Sequence, residues 1–244
     1  PYPFNIKYCA AEIDINSPKK CSARFGSIQN EKLGDQKQMK IFNMPSGPLM
    51  VNTYLVIDEK NKEGFIVDPG GYDTGLIEEI RKLETDIKYI ILTHGHGDHI
   101  GGVKGYRKDM PVAKVVASAA EKDLLADASM NMSMMTQNEA IEVHADILVN
   151  EGDELCVGDM KLQFIMTPGH SPGGMCILTG NALFSGDTLF HSSVGRTDFP
   201  GASFEQLSKA IHEKLFVLPE DTMVYPGHMG PTSIGFEKKN NPFL

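Results

Sequence analysis

The chain has few of the residues that would mark a disulfide scaffold, a nucleic-acid-binding surface or a membrane span. Its four cysteines, Cys9, Cys21, Cys156 and Cys176, form no CxxC pair, which excludes a zinc ribbon and a dense disulfide framework. A formal net charge of −9 argues against a broad nucleic-acid-binding surface. No apolar run has the length of a transmembrane helix or the character of a secretory signal. We therefore expect a cytoplasmic protein with reduced thiols and with neither nucleic acid nor membrane as a partner.

The remaining composition is typical of a globular protein with a sizeable core. Of the 244 residues, 41% are hydrophobic and 23% are charged, and there is no tryptophan. Residues 1–38 are polar and show little periodicity, whereas regular patterns begin near Met39. We predict an N-terminal extension of unknown role over residues 1–38 and one domain over residues 39–244. A packed, non-catalytic extension is favoured over an edge hairpin, a dimer arm or an expression appendage.

Short apolar runs alternate with segments of helical spacing along the predicted domain. Strands are predicted at Met39–Phe42, Val51–Ile57, Phe65–Val67, Tyr89–Leu92, Ala113–Ala117, Leu162–Met166, Met175–Leu178, Leu183–Asp187 and Thr222–Tyr225. Helices are predicted at Leu76–Leu83, Ala119–Ala128 with Ser118 as N-cap, and Phe204–Phe216. The sequence pattern of the second half of the domain repeats that of the first half. This repetition predicts a fold of two similar β-rich halves with helices outside.

One motif dominates the chain and stands directly after the apolar run Tyr89–Leu92. Its four candidate metal ligands are His94, His96, Asp98 and His99. Imidazole and carboxylate donors suit zinc, iron or manganese. Gly95 and Gly97 are predicted to let the backbone bend sharply here without Cβ clashes. A chance polar turn is disfavoured, because three of the eight histidines fall within six residues.

Three further candidates follow apolar runs in the second half, each beside a glycine: His170, Asp187 and His228. Singly, a histidine after Pro-Gly is more often a turn residue. Together with the first motif, however, they predict five histidines and two aspartates converging on two metal ions.

The order and spacing of these seven residues resemble the metallo-β-lactamase superfamily, over about Met39 to Leu244. The resemblance implies an α/β fold, the four-layer αββα sandwich. It also implies that His94, His96 and His170 hold one ion, that Asp98, His99 and His228 hold the other, and that Asp187 bridges both. Asp187 stands near the point where the common zinc β-lactamases have a cysteine.

Four stretches are similar to the compact bacterial members of the glyoxalase II group: Thr167–Gly174, Phe184–Phe190, Gly195–Gly201 and Tyr225–Phe243. This resemblance implies hydrolysis of S-acyl thiol esters of the S-lactoylglutathione type, a small-molecule substrate. Larger glyoxalase II enzymes continue into a helical domain that anchors glutathione, whereas this sequence stops at Leu244. We therefore do not expect a strict glutathione requirement.

The implied mechanism needs two divalent metal ions, with zinc favoured and iron or manganese as alternatives. Metal-bound hydroxide would attack the thioester carbonyl, and Asp98 would orient this nucleophile while acting as a ligand. Asp68 is expected to orient a ligand histidine. Arg196 is expected to support the site through hydrogen bonds or to meet an anionic substrate, the first being favoured.

Three alternative functions remain open. A persulfide dioxygenase with a single iron shares the stretch Gly195–Phe199. A nuclease of the same fold is disfavoured by the acidic composition, and a partner-binding module with a vestigial site is disfavoured by the complete ligand set. Either a monomer or a homodimer is compatible with the sequence.

A methionine cluster stands between the two groups of ligands. It consists of Met130, Met132, Met134 and Met135. Flexible core filling is the favoured interpretation, and a lid over an apolar substrate group is the alternative.

Overall fold

The structure, a computed structural model, describes residues 11–14 as backbone and residues 39–244 in full. Residues 11–14 form a strand that pairs antiparallel with the strand starting at Met39. The rest of the predicted extension lies outside the described residues, and its separate role stays a prediction.

The first sheet has seven strands whose spatial order equals their order along the chain. They are β1 (Ala11–Asp14), β2 (Met39–Ser46), β3 (Val51–Asp58), β4 (Glu63–Val67), β5 (Asp86–Ile91), β6 (Lys114–Ser118) and β7 (Ile147–Val149). The first four strands pair antiparallel, and the pairs from β4 to β7 are parallel. The parallel pairs direct the carboxyl ends of β4 and β5 to one edge, where Asp68 and the first ligand motif follow.

The second sheet has six strands in the order β15-β14-β11-β10-β9-β8. They are β8 (Glu154–Val157), β9 (Met160–Met166), β10 (Met175–Thr179), β11 (Ala182–Gly186), β14 (Met223–Pro226) and β15 (Thr232–Ser233), and a separate ribbon joins β12 (Leu189–Phe190) to β13 (Ser193–Val194). The strands β11 and β14 are parallel neighbours. The residues that follow them, Asp187 and His228, therefore leave the sheet at the same edge.

Helices connect and cover the two sheets. They are α1 (Thr74–Lys82), α2 (Gly97–Ile100), α3 (Val103–Asp109), α4 (Lys122–Ala126), α5 (Ser133–Thr136), α6 (Phe204–Ala210) and α7 (Ile234–Asn240). A 3₁₀ turn, Ala119–Glu121, precedes α4, and a π-helical turn, Ile211–Leu215, extends α6. Within the described residues, no helix is long and apolar enough to cross a membrane.

Three apolar layers hold the sheets and helices together. Strand β3 contributes to two of these layers, because its side chains alternate between the two faces of the sheet. Leu55 and Ile57 pack under the helices, whereas Tyr54 and Val56 pack between the sheets. A third layer covers the outer face of the second sheet, where Leu207 of α6 is buried. Helices outside two stacked sheets give the predicted four-layer αββα sandwich, which is thus confirmed.

The predicted elements mostly recur, with shifts at their ends. Ser118 caps the turn before α4 by accepting a hydrogen bond from the backbone N–H of Ala120, as predicted, but the helix already ends at Ala126. The predicted helix Phe204–Phe216 is confirmed, although its second half is wound as a π turn. The elements that were not predicted include strands β7, β8 and β15 and helices α3 and α7, because their apolar runs are too short to stand out.

Candidate metal centre

The seven candidate ligands meet where strands of both sheets end. His94 and His96 follow β5, His170 follows β9, and Asp187 and His228 follow β11 and β14 directly or nearly so. Asp98 and His99 lie in the short helix α2, for which His96 is the N-cap residue. Residues far apart in the chain therefore converge at the seam between the sheets.

The first group of donors contains three buried histidines. The ligand atoms of His94, His96 and His170 lie within 4.8 Å of one another. Nδ1 of His96 is 2.9 Å from Nε2 of His170. Nε2 of His94 is buried and has no hydrogen-bonding partner.

The second group contains Asp98, His99 and His228, whose ligand atoms also lie within 4.8 Å of one another. Oδ2 of Asp98 is 3.4 Å from Nε2 of His228 and 3.8 Å from Nε2 of His99. Nε2 of His99 is fully buried and has no hydrogen-bonding partner that satisfies the geometry of such a bond.

Asp187 lies between the two groups. Its Oδ2 is 3.6 Å from Nε2 of His170 in the first group and 3.7 Å from Nε2 of His228 in the second. Its Oδ1 is 3.3 Å from Nε2 of His99. This carboxylate faces both groups, which is the position that the resemblance implies for a bridging ligand.

The donor set fits divalent cations. Buried polar atoms in proteins are nearly always satisfied, yet Nε2 of His94, Nε2 of His99 and Oδ1 of Asp187 are buried and make no hydrogen bond. Nitrogen and carboxylate oxygen donors can bind zinc, iron or manganese. The geometry thus supports two neighbouring cations, although the role of each residue as a ligand stays a prediction.

The electrostatics of the site also favour cations. Burial lowers the pKa of His94 well below its usual value, and burial together with the nearby His170 lowers the pKa of His96 to about 3. Both imidazoles therefore keep free lone pairs. Burial alone would raise the pKa of Asp187, but the neighbouring His99 holds this pKa well below its usual value. The carboxylate is thus ionised.

His99 behaves differently, because carboxylates surround it. Burial alone would lower its pKa, but Asp187, Asp68 and Asp98 raise it well above the usual value. Metal binding at His99 would therefore compete with a proton and is expected to release it.

Asp68, which follows β4, contacts the ligand turn from the side of the first sheet. One of its oxygens accepts from the backbone N–H of Thr93, and the other accepts from Oγ1 of Thr93 and contacts Nδ1 of His99 at 2.9 Å. Asp68 also lies close enough to His94 and His99 to suggest a third group of ligands. Because its oxygens already accept these bonds, the contacts favour the predicted role of orienting His99 over that of a ligand, and this role stays a prediction.

Arg196 contributes its backbone to the site. Its carbonyl oxygen is 2.8 Å from Nδ1 of His170, which leaves Nε2 of that histidine for a metal ion. Its guanidinium donates to both carboxylate oxygens of Asp198 and lies 4.6 Å from the ring centre of Phe199. The Phe199 ring in turn packs against His96 and His170.

Glu121 is a supporting residue that sequence reasoning missed. Its side chain is fully buried, and its two oxygens accept 2.6 Å hydrogen bonds from the backbone N–H groups of Gly95 and Gly173. Gly95 lies between His94 and His96, whereas Gly173 belongs to the loop that carries His170. One carboxylate thus joins the loops of all three histidines of the first group.

Gly97 avoids a Cβ clash at the ligand turn, as predicted. Neither Gly95 nor Gly97 has a positive φ, so the reason for glycine here is space and not an unusual backbone conformation. A Cβ on Gly97 would overlap the Cα of Ser133 at the start of α5. Glycine is required at this position because helix α5 approaches the ligand turn so closely.

Asn52 was also missed, and it holds the loop of His228. Its side-chain Nδ2 donates to the carbonyl oxygens of Pro226 and Met229, at 2.9 and 2.8 Å, and its backbone N–H donates to Gly227. Tyr54 adds a hydrogen bond to the same Pro226 oxygen. These bonds lie on both sides of His228 and fix its position.

Replacing Asn52 with leucine is expected to lower metal affinity about tenfold, because side chains that position a ligand typically contribute 10- to 100-fold. Competition with a chromophoric chelator measures this affinity. Tyr54→Phe, which removes one bond to Pro226, is expected to have a smaller effect in the same assay. Unchanged affinity in Asn52→Leu would show that the loop needs no such support.

A cavity of about 430 Å³ opens over the candidate ligands. It contains His96, Asp98, His170, Asp187 and His228. Its other walls come from Leu49, Met132, Met135, Thr136, Phe190, Ser193, Val194, Arg196, Phe199 and Met229. A second cavity of about 410 Å³, beside α3, contains none of the candidate ligands.

Comparison with known proteins agrees with this geometry. Residues 46–228 match the family model described as the metallo-beta-lactamase superfamily. The probable metallo-hydrolase YqgX of Bacillus subtilis (strain 168) is 40% identical over 211 residues, covering 84% of this chain and 98% of that protein. Hydroxyacylglutathione hydrolase GloC of Haemophilus influenzae is 32% identical over 209 residues, covering 84% of this chain and 98% of that protein.

Solved structures show the same similarity. The BLEG-1 B3 metallo-beta-lactamase has a TM-score of 0.78 at 36% identity, covering 84% of this chain and 99% of that one. TTHA1623 in a di-iron-bound form has a TM-score of 0.73 at 33% identity, covering 83% and 100%. ETHE1 from Myxococcus xanthus has a TM-score of 0.68 at 30% identity, covering 83% of each chain.

Proposed function

The chain belongs to the metallo-β-lactamase superfamily and is a metal-dependent hydrolase, and from this premise we propose that it cleaves S-acyl thiol esters, as glyoxalase II does. The relative GloC, a hydroxyacylglutathione hydrolase at 32% identity, supports this substrate class. We further propose that the substrate is a small-molecule thioester, and S-lactoylglutathione, the type that the resemblance implies, is the first substrate to test.

The observation that carries the proposal is the position of Asp187 between two complete groups of donors. Each group offers three ligand atoms within 4.8 Å of one another, and the Asp187 carboxylate lies within 3.7 Å of His170 and of His228. This arrangement favours two metal ions held by His94, His96 and His170 on one side and by Asp98, His99 and His228 on the other. When bound, two such ions lower the pKa of a shared water and polarise a carbonyl oxygen.

The protein's own groups then bind and orient the reactants. Burial alone would raise the pKa of Asp98, but His99 and His228 hold it below its usual value, so its carboxylate is ionised. We propose that Asp98 accepts a hydrogen bond from the attacking water and thereby orients it towards the thioester carbonyl. The side chain of His228 is 27% exposed at the cavity, where the substrate would approach.

The identity of the metal is proposed from the donor chemistry. Nitrogen and oxygen donors accept zinc, iron or manganese, and we propose zinc. The relative TTHA1623, solved in a di-iron-bound form, makes iron the first alternative to test.

A single-iron persulfide dioxygenase is the second candidate function. The stretch Gly195–Phe199 that suggests it lies at the site, where the Arg196 carbonyl contacts His170 and the Phe199 ring packs against His96. The complete second group of donors favours the hydrolase.

Metal removal tests the proposal directly. We expect near two metal ions per chain and hydrolysis of S-lactoylglutathione, which is lost after dialysis against a chelator and restored by zinc, iron or manganese. Oxygen uptake with glutathione persulfide and cleavage of a β-lactam are measured in parallel, the second because BLEG-1 is a β-lactamase. One iron per chain with oxygen uptake and no thioester cleavage would reject the hydrolase and support the dioxygenase.

A further inference from the structure

The methionine cluster does not fill the core. Met130, Met134 and Met135 are 53%, 54% and 84% exposed, and Met132 is half-buried. The favoured interpretation of the cluster as core filler is therefore wrong for these side chains. Large apolar side chains this exposed, and this close together, often mark a binding surface.

Helix α5, which carries Met134 and Met135, is fixed to the ligand turn. The backbone N–H of Gly97 donates to the Asn131 carbonyl at 2.7 Å. The side chain of Gln137 donates to the carbonyls of Gly97 and Gly70. These bonds hold α5 from both of its ends against the turn that carries Asp98. Helix α5 therefore forms a wall of the site that is held in place by hydrogen bonds.

This wall continues into an apolar surface around the cavity mouth. Met132 and Met135 line the cavity together with Leu49, Phe199 and Met229. Leu49 is 51% exposed and Met229 is 60% exposed. The same cavity is lined by the candidate ligands, so a molecule that reacts there and fills the cavity lies against this apolar surface.

The cavity offers little to an acidic thiol carrier. Among the described residues that line it, Arg196 is the only lysine or arginine. Its guanidinium already donates two hydrogen bonds to Asp198, at 3.0 and 2.8 Å. A carboxylate of glutathione would have to compete with this pairing. Charge recognition of the carrier is therefore weak here.

We propose that the substrate is a thioester with an apolar acyl chain, which lies against Met132 and Met135 while the thiol carrier extends towards solvent. The inference rests on the proposed thioester hydrolysis. A thioester has two parts, the acyl group and the thiol carrier, and the thiol carriers of cells are polar or charged. An acyl chain offers more apolar area than these carriers and therefore gains more from contact with methionine, leucine and phenylalanine side chains.

Binding and turnover are measured separately on the metal-loaded protein. Ketone analogues, in which a methylene replaces the thioester sulfur, are not hydrolysed, and calorimetry gives their affinity. With acetyl, butyryl, hexanoyl and octanoyl chains on an N-acetylcysteamine-like carrier, affinity is expected to rise two- to fourfold per methylene. The matching thioesters should show the same trend in kcat/KM. Replacing the uncharged carrier with glutathione should raise the affinity less than threefold.

Matched variants show where the acyl chain binds on the protein. Met135→Gln is expected to lower octanoyl affinity about threefold more than acetyl affinity. Met134→Gln changes an exposed methionine of the same helix that does not line the cavity, and it should leave both affinities unchanged. Affinity independent of chain length, or equal effects of the two variants, would overturn the inference. Chain-dependent binding without cleavage of any thioester would instead reject the proposed function.

Discussion

Replacing Asp187 with asparagine is expected to reduce the metal content from near two ions per chain to one or fewer and to lower kcat/KM more than 100-fold. Loss of a residue that merely positions a ligand costs roughly 10- to 100-fold, and Asp187 faces both groups of donors. Its Oδ2 is 3.6 Å from His170 Nε2 and 3.7 Å from His228 Nε2, and its Oδ1 is 3.3 Å from His99 Nε2.

The asparagine variant keeps the shape of the side chain and removes its charge. The amide has one oxygen donor, and its NH₂ group cannot bind a metal ion. Elemental analysis and turnover of S-lactoylglutathione measure the effect, with circular dichroism to confirm folding. Asp221→Asn is the matched control, because it removes the same charge from an exposed position before β14. Full metal content in Asp187→Asn would exclude a bridging role.

The ligand loops could be predicted because each follows a strand with a clear local pattern. His94 follows β5, and Asp187 and His228 follow the parallel neighbours β11 and β14. A buried strand produces a short apolar run, and the loop after it stands at the sheet edge. The pattern is local, so it is visible in one sequence.

The residues that hold these loops could not be predicted, because their partners are distant in the chain. Glu121 contacts loops 26 and 52 residues away, and Asn52 contacts residues 174 and 177 positions away. Nothing in the local sequence separates these side chains from ordinary surface polar residues. The prediction that the methionine cluster fills the core was wrong for a related reason, because sequence periodicity does not distinguish residues of a cavity wall from residues of a core.

Glu121→Ala is expected to lower the free energy of unfolding by about 2–6 kcal/mol, because each buried donor left without a partner costs about 1–3 kcal/mol. The two donors are the backbone N–H groups of Gly95 and Gly173. Burial raises the pKa of Glu121, and the two backbone bonds oppose this rise. Glu121→Gln keeps one acceptor and turns its NH₂ group towards the other donor, so an intermediate loss is expected.

Metal affinity separates a positioning role for Glu121 from simple support of the fold. Because the carboxylate joins the loops of His94, His96 and His170, its loss should weaken the binding of one of two ions about 10- to 100-fold. Chelator competition measures this affinity, and urea unfolding of the metal-free protein measures stability. Glu237→Gln is the matched control: Glu237 is equally buried and accepts from Ser192, Thr232 and Asn241, none of them a candidate ligand. The Glu237→Gln protein should be less stable but should still bind both ions. An equal loss of metal affinity in the Glu121 and Glu237 variants would show that Glu121 only supports the fold.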